Sequence, residues 1–243
     1  MRLLVLAAAA LAAATAADPA PPNQLTPAEQ KAGWRLLFDG KTTAGWRGFK
    51  KTDFPADRWV VKDGALAHIP TGAGDSQGGG DIVTTDRFSE FDLRFEWRIA
   101  PGANSGLKYF VTEDREGPIA HEYQVLDDAR HPDAKVGPHR QAGAFYDVLP
   151  PASDKTLRPV GEWNASRVLV KGNHVEHWLN GRKVVEYELG SAELKAAIAR
   201  SKFKDVAGFG TKIRGPLLLT YHNDECSFRN VKVRELKAAK QAK

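Results

Sequence analysis

The chain has 243 residues, a formal charge of +5 and 42% hydrophobic residues, which suits one substantial core and at most two small domains. Its single cysteine, Cys226, excludes an intrachain disulfide; set in an alternating run, it reads as a buried thiol and not as a nucleophile. Basic residues are scattered except for the tail Lys237, Lys240 and Lys243, so nucleic acid is not an expected partner.

At the start, Met1-Arg2 is followed by an unbroken Leu/Val/Ala run from Leu3 to Ala14 and by the small residues Ala14-Thr15-Ala16-Ala17. That run is shorter than the roughly 20 residues a membrane-spanning helix needs, and the Pro-rich stretch behind it cannot continue a helix. Residues 1–17 are therefore expected to be a cleaved export signal, leaving a periplasmic or extracellular protein with no membrane contact. No cysteine follows the run to carry a lipid anchor. Residues 18–32 form a linker with a short helix, residues 33–236 the domain, and residues 237–243 a solvated basic tail.

The linker helix is signalled by Thr26-Pro27-Ala28-Glu29, a capping box with proline in the first turn. A second helix is expected from Ser191 to about Lys202, with Leu194, Ala197 and Ile198 as its apolar stripe. Elsewhere the period is two. Phe91, Leu93, Phe95 and Trp97 alternate with Asp92, Arg94, Glu96 and Arg98, the pattern of a half-buried strand. Hairpin turns are marked by Asp63-Gly64, Gly172-Asn173 and Asn180-Gly181. Short strands at this spacing predict an all-β, two-sheet antiparallel sandwich. The glycine-rich stretch 72–80 lacks the strand-then-helix setting of a phosphate cradle and reads as a loop.

The most informative strand is His121 to Asp128. Tyr123 and Val125 point to one side, Glu122 and Gln124 to the other, and a bulge near Leu126 would bring Asp127 into the polar set. Two carboxylates flanking an amide are parts that acid/base work on a sugar needs; a solvated edge-strand face is the other reading. Asn104-Ser105-Gly106 reads as turn chemistry, and at the rim of the same face its Asn amide would reach a sugar hydroxyl. Glu96, Arg98 and Lys108 are then expected to line that face, although Glu96 and Arg98 also suit a structural pair. His121 and His177 fall on core-facing phases, whereas His222 lies in a loop able to reach a site. Trp163 is either a stacking platform for a pyranose or a core residue. No His-x-His or His-x-x-x-His spacing supports zinc, while a hard divalent cation (Ca, Mg or Mn) on carboxylate oxygens stays open. No acyl-transfer nucleophile elbow is present.

Several stretches, taken in order, resemble the 3-keto-disaccharide hydrolase domain family. They are Gly33-Trp34-Arg35-Leu36-Leu37-Phe38-Asp39-Gly40 with Gly45-Trp46, Gly78 to Thr84, Glu96-Trp97-Arg98-Ile99, Asn104-Ser105-Gly106, Glu122 to Asp127, Gly143-Ala144-Phe145-Tyr146, Gly161-Glu162-Trp163-Asn164, His177-Trp178-Leu179-Asn180-Gly181 and Phe228 to Arg234. The resemblance runs from about Gly33 to Leu236. It implies a concanavalin A-like lectin/glucanase sandwich and an exported enzyme acting on sugars oxidised to a ketone at C3. Mapped onto this chain, it implies Glu122 and Asp127 as the catalytic carboxylates and Asn104, Gln124, Arg98 and Lys108 as ligand contacts. One departure stands out: where the family reads Leu-Gln-Asp-His-Gly, this chain has Leu219-Thr220-Tyr221-His222-Asn223.

Cleavage of a 3-keto-glycoside is thus the leading expectation, and a non-catalytic carbohydrate-binding module on the same fold is the alternative. A conventional two-carboxylate glycosidase and an exported scaffold follow.

Overall fold

The computed structural model describes residues 21–70 and 79–236. The expected export signal, most of the glycine-rich loop and the basic tail lie outside the described residues. In chain order the strands are β1 (Arg35–Leu36), β2 (Trp46–Gly48), β3 (Trp59–Lys62), β4 (Ala65–His68), β5 (Ile82–Thr84), β6 (Phe91–Ile99) and β7 (Asn104–Tyr109). They continue with β8 (His121–Leu126), β9 (Asn164–Lys171), β10 (His174–Leu179), β11 (Arg182–Glu188), β12 (Leu218–Leu219) and β13 (Cys226–Glu235); the helices are α1 (Pro27–Lys31) and α2 (Ala192–Ala199).

These strands form two antiparallel sheets. The large one runs β11-β10-β9-β6-β13-β4-β3, with β1 also on β13, and the small one runs β2-β5-β12-β7-β8. The result is the expected concanavalin A-like two-sheet sandwich. The hairpins form where the turn residues predict: Asp63 and Gly64 (φ 51° and 72°), like Asn180 and Gly181 (φ 47° and 83°), both take the left-handed conformation that a tight primed turn requires. Thr26 and Glu29 complete the reciprocal capping box of α1. Helix α2 stops three residues earlier than its apolar pattern suggests, and the Lys202 N–H bonds the Asp147 carboxylate (2.7 Å) instead of extending the helix.

The core lies between the sheets. Phe91, Leu93, Phe95, Trp97 and Ile99 of β6 face Leu107 and Tyr109 of β7 and Tyr123 and Val125 of β8, all 5% exposed or less. Each large side chain so buried contributes about 2–3 kcal/mol. Polar ties cross this layer. Tyr109 Oη is 2.7 Å from both His177 Nε2 and Tyr187 Oη, His121 Nδ1 is 2.8 Å from Tyr187 Oη, and Ser166 Oγ donates to Tyr123 Oη (2.8 Å). His121 and His177 are therefore structural, as their strand phase predicts. Burial pulls their pKa values down to about 3 and about 4, so both rings are neutral at pH 7.

Candidate active site

The strand register decides which side chains share a face. In the β7–β8 pair Asn104 stands opposite Leu126, Gly106 opposite Gln124 and Lys108 opposite Glu122, with no register shift. Asn104, Lys108, Glu122 and Gln124 therefore all project from the outer face of the small sheet, away from the core. Asn104-Ser105-Gly106 is the first half of β7 and not a turn; the chain reverses before it, at Pro101-Gly102. Glycine at 106 has a local purpose: a Cβ there would lie 2.1 Å from Glu122 Oε1, so its absence makes room for the carboxylate to lie across β7.

Although it faces outward, this surface is covered. Glu122 is 6% exposed and Gln124 2%. The segment around Gly143 to Tyr146 adds onto β8, with Gly143 N–H on Gln124 O (2.8 Å) and Tyr146 N–H on Glu122 O (3.0 Å). A cleft of about 390 Å³ remains over Glu122, walled by Lys108, Tyr146, Lys202 and Phe203. The Lys108 ammonium is 3.6 Å from Glu122 Oε2 and donates to Pro118 O (3.0 Å). The Lys202 ammonium donates to Tyr146 Oη (3.1 Å), which itself donates to Asp133 (2.8 Å). Burial lowers the Lys202 pKa, opposed by the Glu122 and Asp147 carboxylates. The Tyr146 phenol is raised, first by burial and then by its bond to Asp133, so it stays protonated. Arg140 ties Asp133 (2.7 Å) to Asp147 (2.5 Å), and Asp147 in turn fixes the Lys202 backbone. Among the described residues the Glu122 carboxylate accepts no hydrogen bond, and its nearest cation is Lys108. A nearly buried carboxylate with open lone pairs beside two ammonium groups and a phenol is equipped for proton transfer.

Asp127 is placed differently. No bulge forms near Leu126, so Asp127 stays out of phase, and its N–H bonds Ala103 O just past the strand (3.0 Å). Its carboxylate accepts from Gly102 N–H (2.8 Å), Ala129 N–H (3.0 Å) and Arg130 (3.3 Å). Burial alone would raise this carboxyl; the three donors outweigh it and hold the pKa below the usual range. The expectation that Asp127 joins Glu122 on one face is thereby corrected: its lone pairs are spent on closing the turn after β8.

Glu96 and Arg98 are likewise not on the face of Lys108. They leave β6 on the outer side of the large sheet, because Phe95 and Trp97 take the core side. Glu96 accepts from Arg229 (2.7 Å) and Asn230 (2.8 Å), and Arg98 lies over the half-buried Trp163 ring (4.8 Å). Strand alternation separates the two faces of a strand but does not say which sheet the strand joins.

The loop after β12 sits beside Asn104. Asp224 accepts the Asn104 N–H (2.9 Å), Thr220 N–H bonds Gly106 O (3.0 Å), and Gln124 Nε2 reaches Asn104 Oδ1 (3.3 Å). Tyr221 packs on Trp59 and His68 and donates to Ile69 O (2.6 Å), so it is a packing residue. His222 is partly exposed in this loop, close enough to the buried His68 to lower its pKa further.

For a metal, one group of three potential ligands occurs among the described residues: His174, Glu176 and Glu186, with donor atoms within 4.8 Å of one another. It lies on β10 and β11, in the other sheet. Glu176 already accepts from Trp178 (2.7 Å) and His174 (3.1 Å) and pairs with Lys183 (3.6 Å). The cleft at Glu122 is instead lined by cations, which suits an electron-rich oxygen.

Sequence reasoning missed Tyr146 and Lys202 as site residues. Tyr146 stands at the end of a family-like stretch, but nothing local to either residue points to Glu122; the fold alone brings them together.

The fold and this cleft define a concanavalin A-like sandwich with a covered, charged site on the outer face of its small sheet. The chain belongs to the 3-keto-alpha-glucoside-1,2-lyase-like domain family, whose model matches residues 33–234. It is 36% identical over 230 residues to a 3-keto-disaccharide hydrolase of Bacteroides thetaiotaomicron, covering 84% of this chain and 79% of that protein. A crystal structure of a candidate glycosyl hydrolase from Parabacteroides distasonis superposes with a TM-score of 0.79 at 33% identity, over 89% of this chain and all of that one. A second structure from the same organism, at 24% identity and a TM-score of 0.62 over 84% of this chain and 99% of that one, shares the fold.

Proposed function

We propose that this protein cleaves 3-keto-glycosides at the Glu122 cleft by elimination followed by hydration. The coarser statement, an enzyme acting on glycosides, follows from its family and from the relative named 3-keto-disaccharide hydrolase. The observation that carries the finer one is the single open carboxylate among cations. A ketone at C3 acidifies the C2–H. Glu122 takes that proton, the electron pair forms the C1=C2 bond, and the C1–oxygen bond breaks to release the second sugar. Lys202 or Lys108 donates to the ketone oxygen as charge builds on it, while Tyr146, its proton given to Asp133, holds the Lys202 ammonium in place. Water then adds across C1=C2, its hydroxyl to C1 and a proton to C2. Asn104 and Gln124, joined amide to amide on the same sheet face as Glu122, are assigned in this reading to meet sugar hydroxyls at its edge. A conventional glycosidase loses support because Asp127, the expected second carboxylate, is committed to its turn.

The residues that replace the family's Gln and Asp, Thr220 and Tyr221, are held by Gly106 O and by the Trp59–His68 cluster, so this departure leaves Glu122 and its cations untouched. Export is part of the proposal and rests on residues 1–17 alone.

Incubation of the mature protein with a 3-keto-disaccharide and with its unoxidised parent, each with and without Ca, Mg or Mn, tests the reading. Reducing sugar from the oxidised substrate only is the expected result. No release from either overturns it, and equal release from both points to an ordinary glycosidase. A carbohydrate-binding module would bind without release.

A further inference from the structure

The outer face of the large sheet carries a second constellation that takes no part in the chemistry above. Strands β6, β9, β10 and β13 place Arg94, Arg167, Trp178 and Lys232 around a cleft of about 300 Å³. Two of these cations are paired, Arg167 with Asp92 (2.6 Å) and Lys232 with Glu29. Arg94 and Arg98 are not so engaged. Arg94 comes no closer than 3.9 Å to Asp92, which already serves Arg167 and Arg234, and its side chain is 46% exposed. Arg98 has neither a carboxylate partner nor a hydrogen bond among the described residues. Both guanidiniums instead rest on indole faces, Arg94 over Trp34 (4.5 Å) and Arg98 over Trp163 (4.8 Å). Stacking of this kind fixes the plane of a guanidinium and leaves its N–H edge free for a planar anion.

Four residues apart on one strand, Arg94 and Arg98 project from the same face about 13 Å from each other. That span fits a chain of sugars better than a single ring. The half-buried ring of Trp178, which lines the cleft, supplies a flat apolar platform on which a pyranose stacks. We propose that this face is a second binding surface, on the side of the sandwich opposite the Glu122 cleft, and that it holds an anionic polysaccharide through its carboxylate or sulfate groups. Arg94 and Arg98 provide the anion contacts and Trp178 the stacking contact.

The test is affinity electrophoresis of the mature protein, at physiological ionic strength, through gels containing polygalacturonate, sulfated dextran, neutral dextran or single-stranded DNA. Retardation by the two acidic polysaccharides but not by neutral dextran or DNA is expected. The double variant Arg94→Ala/Arg98→Ala should bind about tenfold more weakly, with the same melting temperature and the same turnover of a 3-keto-disaccharide as the unmodified chain. Trp178→Ala, which removes no charge, should also weaken binding. Lys195→Ala/Lys204→Ala, which removes as much charge elsewhere on the surface, should not. Absence of retardation, equal retardation by neutral dextran or DNA, or an equal loss in the lysine double variant overturns the proposal.

Discussion

The two outer faces of the sandwich arise from the same alternation of side chains and differ in what covers them. On the small sheet, Glu122 and Gln124 face outward yet are almost as buried as the core, because the segment from Gly143 to Tyr146 adds onto their strand and Tyr146 and Lys202 wall in Glu122. On the large sheet, Asp92 and Glu96 are each answered by arginines from neighbouring strands, while Arg94, Arg98 and Trp178 stay at least partly exposed. A carboxylate acquires chemistry where the chain shields it without using up its lone pairs. Where partners saturate it, it braces the sheet.

The sharpest way to break this contrast is to remove a cation from the covered face. Lys202→Met should lower kcat on a 3-keto-disaccharide by about 100-fold, the usual cost of losing one donor to a developing oxyanion. Removing Arg167 from the other face should leave kcat unchanged. Steady-state kinetics on both variants decides.

Both faces rest on one buried layer that contains His68, His121 and His177, and acid should undermine it. His177 has its pKa pulled down to about 4 by burial, below the ordinary 6.5 of the unfolded chain. The unfolded state therefore takes up its proton first as pH falls. Stability is full above about pH 6.5 and drains between pH 6.5 and 4, by about 3 kcal/mol for this residue alone. Thermal melts across that window should show a steep fall in Tm, and a flat profile would contradict neutral burial.

A smaller effect separates room from function. Gly106→Ala forces a Cβ against Glu122 Oε1 and should cost about 2 kcal/mol of stability or displace the carboxylate. Calorimetry and kcat together distinguish the two outcomes. Asp127→Ala should cost about 1–2 kcal/mol by leaving the Gly102 and Ala129 N–H groups unpaired, with kcat nearly unchanged.

The fold was legible wherever local chemistry was strong. Asp63-Gly64 and Asn180-Gly181 could hardly be anything but tight hairpins, and the nine residues of β6 declare their inner and outer sides without ambiguity. The site was legible only in part. Glu122, Gln124, Asn104 and Lys108 do share a face, since cross-strand register carries the alternation of one strand onto the next. Glu96 and Arg98 followed the same rule on a strand of the other sheet, and alternation holds no information about sheet membership. Asn104-Ser105-Gly106 misled because its composition is that of a turn, whereas Gly106 is there to make space for a side chain from β8. Tyr146 and Lys202 left no local mark because only tertiary packing joins them to Glu122.

The central claim is that Glu122 is the base and Asp127 a brace. It is tested most directly by measuring kcat and substrate affinity for Glu122→Gln and Asp127→Asn side by side on a 3-keto-disaccharide. The expected result is a loss of about 1,000-fold in kcat for Glu122→Gln with binding retained, and near-normal kcat for Asp127→Asn. Turnover by Glu122→Gln at the rate of the unmodified chain, or an equal loss in Asp127→Asn, would contradict it.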